Sequence, residues 1–544
     1  MKKFRMIYWL IAACCFPLLV ACNGFLKEDP RDGIDENDAY RTLSDLYLNA
    51  VASLYNYVGG YADSQGLQGT GRGVYDLNTF TTDEAIMPTR GGDWYDGGFW
   101  QGLYLHEWGV NNDAIQATWE YLYKVVMLSN KSVEQIQKFQ ATHDSPELPG
   151  YLAEVRAVRA MYYYYLMDLF GRVPLVLSSS VSMDEVVQKE RKEIFDFVVK
   201  ELQEAAPLLA ENHSNQSGDY YGRLTRPVVY FLLAKLALNA EVYTDNDWTD
   251  GVRPDGKSIY FTVDGQELNA WQTVIAYCDR IAVMGYRLEP QYEANFAVYN
   301  ESSAENIFTI PMNKTLYTNQ MQYLFRSRHY NHAKAYGLSG ENGSSATIDA
   351  LRVFGYDTAE IDPRFDKCYF AGVVYDLKGN AIKLDDGTVL EYHPWEVAVD
   401  ISDTPYEKTA GARMKKYAID VNATKDGKLM ENDIVLFRYA DVLLMKSEAK
   451  VRNGEDGDGE LAQVRSRVGA AARPATLENL LDERLMEFAW EGWRRQDLVR
   501  FGMFTREYSN RQQLPGEENG YTTVFPIPGN VLRMNKRLEQ NKGY

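Results

Sequence analysis

Apolar residues recur at three- and four-residue intervals in seven stretches of the chain, a spacing typical of helices that bury one face. Gly171 follows the third stretch, and Pro227 falls in the first turn of the fifth, directly after a Thr225 cap position. The pattern predicts a mainly helical protein. The seven stretches are residues 38–57, 112–140, 149–170, 190–209, 225–243, 271–284 and 432–453.

An eighth stretch, residues 482–504, has one apolar side and one heavily charged side. Glu483, Glu487 and Glu491 form a row at four-residue spacing. On a solvated surface each ion pair along such a helix would contribute only ~0.2–0.5 kcal/mol, whereas buried arginine–carboxylate pairs would position neighbouring helices. We favour the buried arrangement. Because glycine inside a helix costs about 1 kcal/mol relative to alanine, Gly492 predicts a close packing contact.

The helical pattern is interrupted twice. Residues 59–111 mix many glycines with aromatic residues, and residues 286–431 carry few helical signals and short predicted strands at 306–311 and 373–375. We therefore predict a single domain over residues 38–544. Its helical scaffold lies mainly at residues 38–58, 112–243, 270–285 and 432–504, and its loop-rich, ligand-binding lobe mainly at residues 59–111 and 286–431.

The first residues predict export and lipid anchoring. A basic start precedes an apolar run at residues 6–20, which is shorter than the ~20 residues of a membrane-spanning helix. Small residues precede Cys22 directly after this run, as in bacterial lipoprotein signals. We predict a signal peptide at residues 1–21, an acylated Cys22 and a lipid-anchored tether at residues 22–37. The alternative is an ordinary signal peptide with an incidental cysteine.

Composition narrows the class of ligand. Hydrophobic residues make up 45% of the 544-residue chain, and the mean hydropathy of −0.39 excludes a polytopic membrane protein. The net charge of −19 argues against nucleic acid and polyanionic glycans, because both require a basic surface. The 39 tyrosines and 10 tryptophans offer flat apolar faces with polar groups at their edges. These observations favour a neutral ligand.

No motif in the chain predicts catalysis, a cofactor or a metal site. Metalloprotease, nucleophile-elbow and phosphate-loop motifs are absent, and the six histidines have no metal-ligand spacing. Asp83 and Glu84 form the nearest acidic pair outside the predicted scaffold, and a capping or turn role is favoured for them over acid–base chemistry. Cys278 and Cys368 are predicted to be free thiols, with a disulfide as the alternative.

Two loop stretches carry the residues expected to bind a ligand. In residues 90–100, glycines allow the chain to present Trp94 and Trp100 for stacking, and polar side chains flank them to hydrogen-bond vicinal hydroxyls. The second stretch, residues 317–336, is rich in tyrosine. The alternative is that each aromatic residue belongs to the core of its own loop. The candidate ligand-binding residues are Trp94, Trp100, Tyr95, Arg90, Asp93, Asp96, Tyr317, Asn319, Tyr323 and Tyr330.

Several motifs resemble those of one family. Residues 156–176 read RAVRAMYYYYLMDLFGRVPLV, residues 362–364 read DPR, residues 483–502 carry an ER…E…EG-R…DL-R-G pattern, and residues 525–544 end in a PIP…QN-GY pattern. This set resembles the SusD/RagB family of surface glycan-binding lipoproteins of Bacteroidetes. Lys27-Glu28-Asp29 is similar to an export tag of such lipoproteins.

The resemblance implies a fold, a function and a partner. The fold would be a tetratricopeptide-like, right-handed superhelix of helix pairs with inserted loops and short strands. The protein would be anchored in the outer membrane, face outward, capture an oligosaccharide without cleaving it and deliver it to a SusC-like TonB-dependent transporter. Two alternatives remain: capture of peptides or host-protein fragments by the same scaffold, and a glycoside hydrolase that uses Asp83 or Glu84.

Overall fold

A computed structural model describes residues 39–60, 65–68, 71–316 and 321–544 of the chain, with only the backbone at residues 322 and 323. The chain divides into two units between Asn49 and Ala50. Of the first unit, residues 39–49 are described, and helix α1 (Leu43–Leu46) begins there at a capping box formed by Thr42 and Asp45. The predicted signal peptide, tether and lipid anchor at Cys22 lie outside the described residues.

Helices account for most of the regular structure. Among those described, none combines the length and hydrophobicity that a bilayer crossing requires. After α1 and a π-helix at Tyr47–Ala52, the α-helices are α2 (Ser53–Tyr55), α3 (Val74–Thr79), α4 (Phe99–Tyr104), α5 (Asp113–Gln140), α6 (Leu148–Phe170), α7 (Arg191–Ala205), α8 (Arg226–Leu238), α9 (Ala240–Tyr243), α10 (Ala270–Ala282), α11 (Gln322–Arg326), α12 (Tyr330–Lys334), α13 (Ile348–Val353), α14 (Phe365–Cys368), α15 (Tyr439–Asn453), α16 (Asp458–Arg467), α17 (Leu477–Phe488), α18 (Arg494–Arg500) and α19 (Gly529–Met534).

The long helices pack as a succession of neighbours. Helix α5 packs against α6, α6 against α7, α7 against α8, α8 against α10 and α10 against α15, which also contacts α16 and α17. Local signals set their ends: the Asn112 side chain accepts hydrogen bonds from the first turn of α5, and Gly171, with a φ of 67°, ends α6. Thr225 precedes α8 but makes no capping hydrogen bond through its side chain.

The strands are short and pair in twos. Strand β6 pairs antiparallel with β12, with Ile310 opposite Ile434 and a bulge between Val435 and Phe437. The other pairs are β1 with β7, β2 with β3, β4 with β5, β8 with β11 and β9 with β10. The strands are β1 (Ala85–Ile86), β2 (Val173–Pro174), β3 (Gln188–Lys189), β4 (Tyr260–Val263), β5 (Gln266–Asn269), β6 (Asn306–Ile310), β7 (Ser345–Ala346), β8 (Tyr369–Phe370), β9 (Gly372–Val373), β10 (Glu391–Tyr392), β11 (Arg413–Met414) and β12 (Ile434–Arg438).

Three predicted helices differ in extent from those in the structure. The prediction of one helix over residues 225–243 is wrong, because α8 ends at Leu238 and α9 begins at Ala240, on either side of the non-helical Asn239. The prediction of one helix over residues 432–453 is wrong at its start, because β12 precedes α15 there. The apolar run of this buried strand continues the helical pattern, and periodicity does not separate the two. The prediction of one helix over residues 482–504 is also wrong, because α17 and α18 are separated by a break at residues 489–493.

Gly492 lies in that break and has a φ of 75°. A Cβ atom at this position would lie 3.2 Å from Tyr75 Cδ2 and 3.3 Å from Gln68 Nε2. The close packing expected at Gly492 is therefore confirmed, although the residue is not inside a helix. Within the same break, the carbonyl of Trp490 accepts a hydrogen bond from the Tyr75 hydroxyl at 3.3 Å.

The charged side of α17 is a buried ion-pair lattice, as predicted. Glu487 Oε1 lies 2.6 Å from Arg438 Nη1, and its Oε2 lies 2.9 Å from Arg364 Nη1. Arg438 also binds Glu491, with Nε 2.8 Å from Oε2. Burial opposes ionisation of Glu487, but the surrounding guanidinium groups, that of Arg467 first, outweigh it and hold its pKa well below the usual value. The lattice joins β12, α16 and α17 to the segment before α14.

Candidate binding surface

Arg90 anchors the first predicted binding loop from inside the protein. Its Nη2 donates to the carbonyl of Ala410 at 3.0 Å and to Ser345 Oγ at 2.8 Å, and its Nη1 donates to the carbonyl of Glu407 at 3.1 Å. Burial, and next the nearby Arg413 guanidinium, lower the pKa of Arg90. The expectation that Arg90 faces a ligand is wrong, because its guanidinium is buried and occupied by distant segments.

The loop after Arg90 fixes the indole of Trp94. Residues 90 and 93 bond to each other in a tight turn, with Arg90 N 3.0 Å from the Asp93 carbonyl oxygen. Trp94 has a φ of 63°, a backbone conformation that residues other than glycine rarely adopt. Its Nε1 donates to the carbonyl of Glu341 at 2.8 Å. The ring lies against Gly343, where a Cβ atom would be 2.7 Å from Trp94 Cε2. Trp94 is therefore half-buried and rigidly held.

Trp100 lies inside the protein, with 3% of its surface exposed. Its ring meets those of Phe80, Trp94 and Phe99 edge-on at centroid distances of 5.7, 5.8 and 4.9 Å. Its Nε1 donates to Asp96 Oδ2 at 2.9 Å. The expectation that the loop presents both indoles is therefore wrong for Trp100, because the first turn of α4 directs it into this aromatic cluster. Trp100 supports the loop from beneath.

Five residues form a surface that we call the loop surface: Asp93, Trp94, Tyr95, Asp96 and Tyr330. Tyr95 is 58% exposed and Tyr330 is 43% exposed. The Tyr330 hydroxyl donates to Asp93 Oδ2 at 3.0 Å, which brings the second predicted stretch against the first. Burial, followed by the hydrogen bond to Asp93 and its charge, raises the pKa of Tyr330 to about 12. Tyr330 is therefore a neutral hydroxyl at physiological pH.

Two basic residues that the sequence did not single out complete this surface. Lys408 Nζ lies 3.6 Å from Asp93 Oδ2, and Arg72 Nη2 lies 3.0 Å from Asp96 Oδ2. The Arg72 guanidinium also lies 4.3 Å from the centre of the Phe99 ring. No local signal marks either residue, because each reaches the loop from a distant part of the chain.

The second predicted stretch, residues 317–336, contributes one described side chain to the loop surface. Tyr317 and Asn319 lie outside the described residues, as does the side chain of Tyr323. Of the other polar residues in this stretch, Arg326 is buried and its Nη2 lies 3.1 Å from Asp76 Oδ1. Among the described side chains of the four predicted residues, Tyr330 is the one that reaches the loop surface.

The acidic pair at residues 83 and 84 is buried. The two carboxylate oxygens of Asp83 lie 2.7 and 2.9 Å from Arg494 Nε and Nη2. Burial raises the pKa of Asp83, but Arg494 and then Arg506 outweigh it and lower the pKa overall. Glu84 accepts a hydrogen bond from the main-chain N–H of Trp490, and burial raises its pKa to about 8. Both side chains are buried and bonded within the core, so neither is accessible to a substrate.

Thiol and metal chemistry offer no second site in the described part of the chain. Cys278 and Cys368 are both buried and free, so the alternative of a disulfide between them is wrong. Within the described ranges, no group of three or more His, Cys, Asp or Glu residues is arranged to hold a metal ion.

Comparison with known proteins identifies the family. A model of the SusD family matches residues 304–544, and a model described as "Starch-binding associating with outer membrane" matches residues 67–238. The starch-binding protein SusD of Bacteroides thetaiotaomicron is 27% identical over 429 residues, 72% of each chain.

Solved structures share the fold. A laminarin-binding SusD-like protein has a TM-score of 0.66 at 20% identity, with 92% of this chain and 99% of that chain covered. Surface glycan-binding protein A from Bacteroides thetaiotaomicron, in complex with laminarihexaose, has a TM-score of 0.67 at 18% identity, with 91% and 98% covered. The helical scaffold with loop-rich insertions is thus the SusD-like architecture, and the predicted fold class is confirmed. The chain belongs to the SusD family.

Proposed function

We propose that this protein captures a neutral oligosaccharide at the cell surface without cleaving it. The observation that carries the proposal is the loop surface, where the exposed rings of Tyr95 and Tyr330 lie beside the carboxylates of Asp93 and Asp96. Flat aromatic faces stack on the apolar faces of sugar rings, and carboxylates accept hydrogen bonds from hydroxyl groups. The half-buried Trp94 ring extends the aromatic area of the same surface.

The charges at this surface support a neutral ligand. Asp93 lies beside Lys408 and Asp96 lies beside Arg72, so the two carboxylates offset these two basic groups and leave no excess of positive charge to attract a polyanion. The net charge of the whole chain, −19, opposes polyanions further. Two of the relatives above are named for binding starch and laminarin. Both polysaccharides are neutral glucans and are the first candidates to test.

The cellular setting is part of the proposal. Residues 38–544 would form one SusD-like domain, tethered by residues 22–37 to an acylated Cys22 in the outer membrane and facing outward. The captured glycan would pass to a SusC-like TonB-dependent transporter. The description of the second family model, which refers to association with the outer membrane, supports this location.

Affinity electrophoresis tests the binding surface. We expect the protein to be retarded in native gels that contain soluble starch, laminarin or another neutral polysaccharide, and the Tyr95→Ala/Tyr330→Ala double variant to lose about tenfold or more in affinity, since two stacked rings are removed. Tyr260→Ala is the matched control, because Tyr260 is 63% exposed on β4, away from the loop. Equal retardation of the double variant and the wild type would contradict glycan binding at the loop surface, and a wild-type protein that no gel retards would contradict glycan capture itself.

A further inference from the structure

A second pair of aromatic rings reaches the surface outside the loop surface. Trp395 lies on a short 3-10 turn, Pro394–Glu396, and is 37% exposed. Its ring centre lies 5.7 Å from that of the partly exposed Tyr356, and the two planes are inclined by 50°. A tryptophan left this open to water has apolar area available for a ligand.

The ring pair is rigidly supported from below. Tyr356 packs on Phe365 with ring centres 4.6 Å apart and planes inclined by 31°. Phe365 is buried and stacks on Tyr369 at 5.2 Å, and Tyr369 in turn meets Trp490 in the core. Because this column of rings fixes Tyr356, little conformational entropy would be lost when a ligand covers it.

Polar groups lie at the edge of the pair. Asp357 has a φ of 67°, a strained conformation for this residue, and its Oδ2 accepts a hydrogen bond from Trp395 Nε1 at 3.3 Å. Among the residues that the structure describes, the Tyr356 hydroxyl has no hydrogen-bond partner, and neither has Asp357 Oδ1. Beside the two flat rings, the Tyr356 hydroxyl can therefore both donate and accept a hydrogen bond to a ligand, and Asp357 Oδ1 can accept one.

The surroundings of the pair are acidic. Burial is the largest cause that raises the pKa of Tyr356, and the negative charges of Asp357, Glu391 and Asp366 raise it further. Glu396, next to Trp395, is exposed as well. A negatively charged sugar would be repelled here, whereas the hydroxyl groups of a neutral sugar would meet hydrogen-bond acceptors.

We propose that Trp395, Tyr356 and Asp357 form a second binding platform for a neutral hexose unit of a polysaccharide. This inference rests on the proposed function and adds a site to it. One chain segment joins the two surfaces: Thr89, at the start of the binding loop, bonds to residues 399 and 401, and Lys408 contacts Asp93. A polysaccharide long enough to reach both surfaces gains affinity by occupying them together.

Affinity electrophoresis of matched variants tests the second platform. The gels contain soluble starch, laminarin, xyloglucan or galactomannan, and the variants are Trp395→Ala, Trp395→Phe and the Tyr260→Ala control. We expect Trp395→Ala to lose about fivefold in affinity for the polysaccharide that retards the wild type, and Trp395→Phe to keep most of it, because a flat ring remains. Thermal unfolding of each variant separates lost binding from lost folding.

The Tyr356→Phe variant tests the second platform if Trp395→Ala does not fold. It keeps both rings and removes the free hydroxyl, so we expect about a threefold loss of affinity with unchanged thermal stability. Retardation equal to the wild type for Tyr356→Phe and for a folded Trp395→Ala would overturn the second platform.

The result for the loop surface separates the two proposals. If the Tyr95→Ala/Tyr330→Ala variant loses affinity and the Trp395 and Tyr356 variants do not, the second platform is overturned and the proposed function stands. If the Trp395 and Tyr356 variants lose affinity and the loop double variant does not, the second platform stands and the loop surface is overturned. A wild-type protein that none of the gels retards overturns both.

Discussion

Trp94 and Trp100 lie six positions apart in one loop and end in different environments. The indole of Trp94 is half-buried and held by the Glu341 carbonyl, whereas Trp100 is enclosed by Phe80 and Phe99. The adjacent Tyr95 is the exposed ring of the loop. At this scale, the exposure of a single ring decides whether its residue supports the loop or contacts a ligand.

The difference between Trp100 and Tyr95 is directly testable. Trp100→Ala should lower the free energy of unfolding by about 3–5 kcal/mol, because it leaves a cavity in a packed aromatic cluster. Tyr95→Ala should change the free energy of unfolding by less than about 0.5 kcal/mol and weaken polysaccharide retention instead. Urea unfolding and affinity electrophoresis measure the two effects. A Trp100→Ala variant as stable as the wild type would show that the residue is not enclosed as described.

Glu84 makes the stability of the protein depend on pH. Its pKa is raised from 4.5 to about 8 by burial, so the folded protein holds this proton more tightly than the unfolded chain. The resulting stabilisation is complete below pH 4.5 and is lost as the pH rises toward about 8. Glu84→Gln keeps an oxygen for the Trp490 N–H and removes the titration.

The measurement for Glu84 compares thermal unfolding of the variant and the wild type at pH 4.5 and at pH 8. We expect the variant to lose less stability between these two pH values. Other titrating groups, such as His106, are common to both proteins and cancel in the comparison. Parallel changes in the two proteins would mean that Glu84 does not titrate in this range.

At the scale of elements, the break between α17 and α18 is the feature that periodicity missed. The break turns the chain so that the row of glutamates on α17 faces Arg364 and Arg438, while Arg494 at the start of α18 faces Asp83. Removing one partner of such a buried pair leaves an uncompensated charge, a change that is strongly destabilising. The ion pairs therefore fix the arrangement of these elements.

Gly492 and Gly502 provide a matched pair for testing the break. Both have a positive φ, 75° and 68°, but a Cβ atom at Gly492 would lie 3.2 Å from Tyr75 Cδ2, whereas Gly502 has nothing within 4 Å. Gly502→Ala should lower the free energy of unfolding by about 1 kcal/mol through backbone strain, and Gly492→Ala by about 1 kcal/mol more. Urea unfolding measures both variants. Equal losses would exclude a contribution from the close contact with Tyr75.

At the scale of the whole molecule, the helical scaffold and the binding surfaces have separate roles. The scaffold buries its charged lattice, and the loop surface and the Trp395–Tyr356 pair lie on the segments inserted into it. In our proposal, the tether at residues 22–37 determines where the protein is held in the cell and takes no part in glycan binding. Anchoring and glycan binding are therefore expected to be separable.

Cys22→Ser tests this separation. A serine lacks the thiol that receives the lipid, so the variant should leave the outer-membrane fraction, because a polar tether without acyl chains has little affinity for the bilayer. Fractionation of cells with an antibody readout measures the location, and affinity electrophoresis of the purified variant should match the wild type. A variant that remains in the outer-membrane fraction would contradict the predicted anchor.

The sequence by itself determined the helical scaffold and the family. Residues 112–140 and 149–170 were predicted as helices, and the structure has Asp113–Gln140 and Leu148–Phe170. This agreement has a physical cause: helical periodicity is a local property of the backbone, and each stretch carries its own apolar face. The buried lattice on α17 was also predictable, because several acidic and basic residues share a side next to an apolar stripe.

Only the tertiary structure decided which loop residues are exposed and which segments meet. Arg90 and Trp100 were predicted to face the ligand and are buried. Segments far along the chain occupy the Arg90 guanidinium, whereas Trp100 is enclosed by Phe80, Trp94 and Phe99. The contacts of Lys408 with Asp93 and of Trp395 with Tyr356 join segments whose spacing along the chain gives no signal. In glycine-rich loops the backbone has no repeating geometry, so the orientation of each side chain depends on distant neighbours.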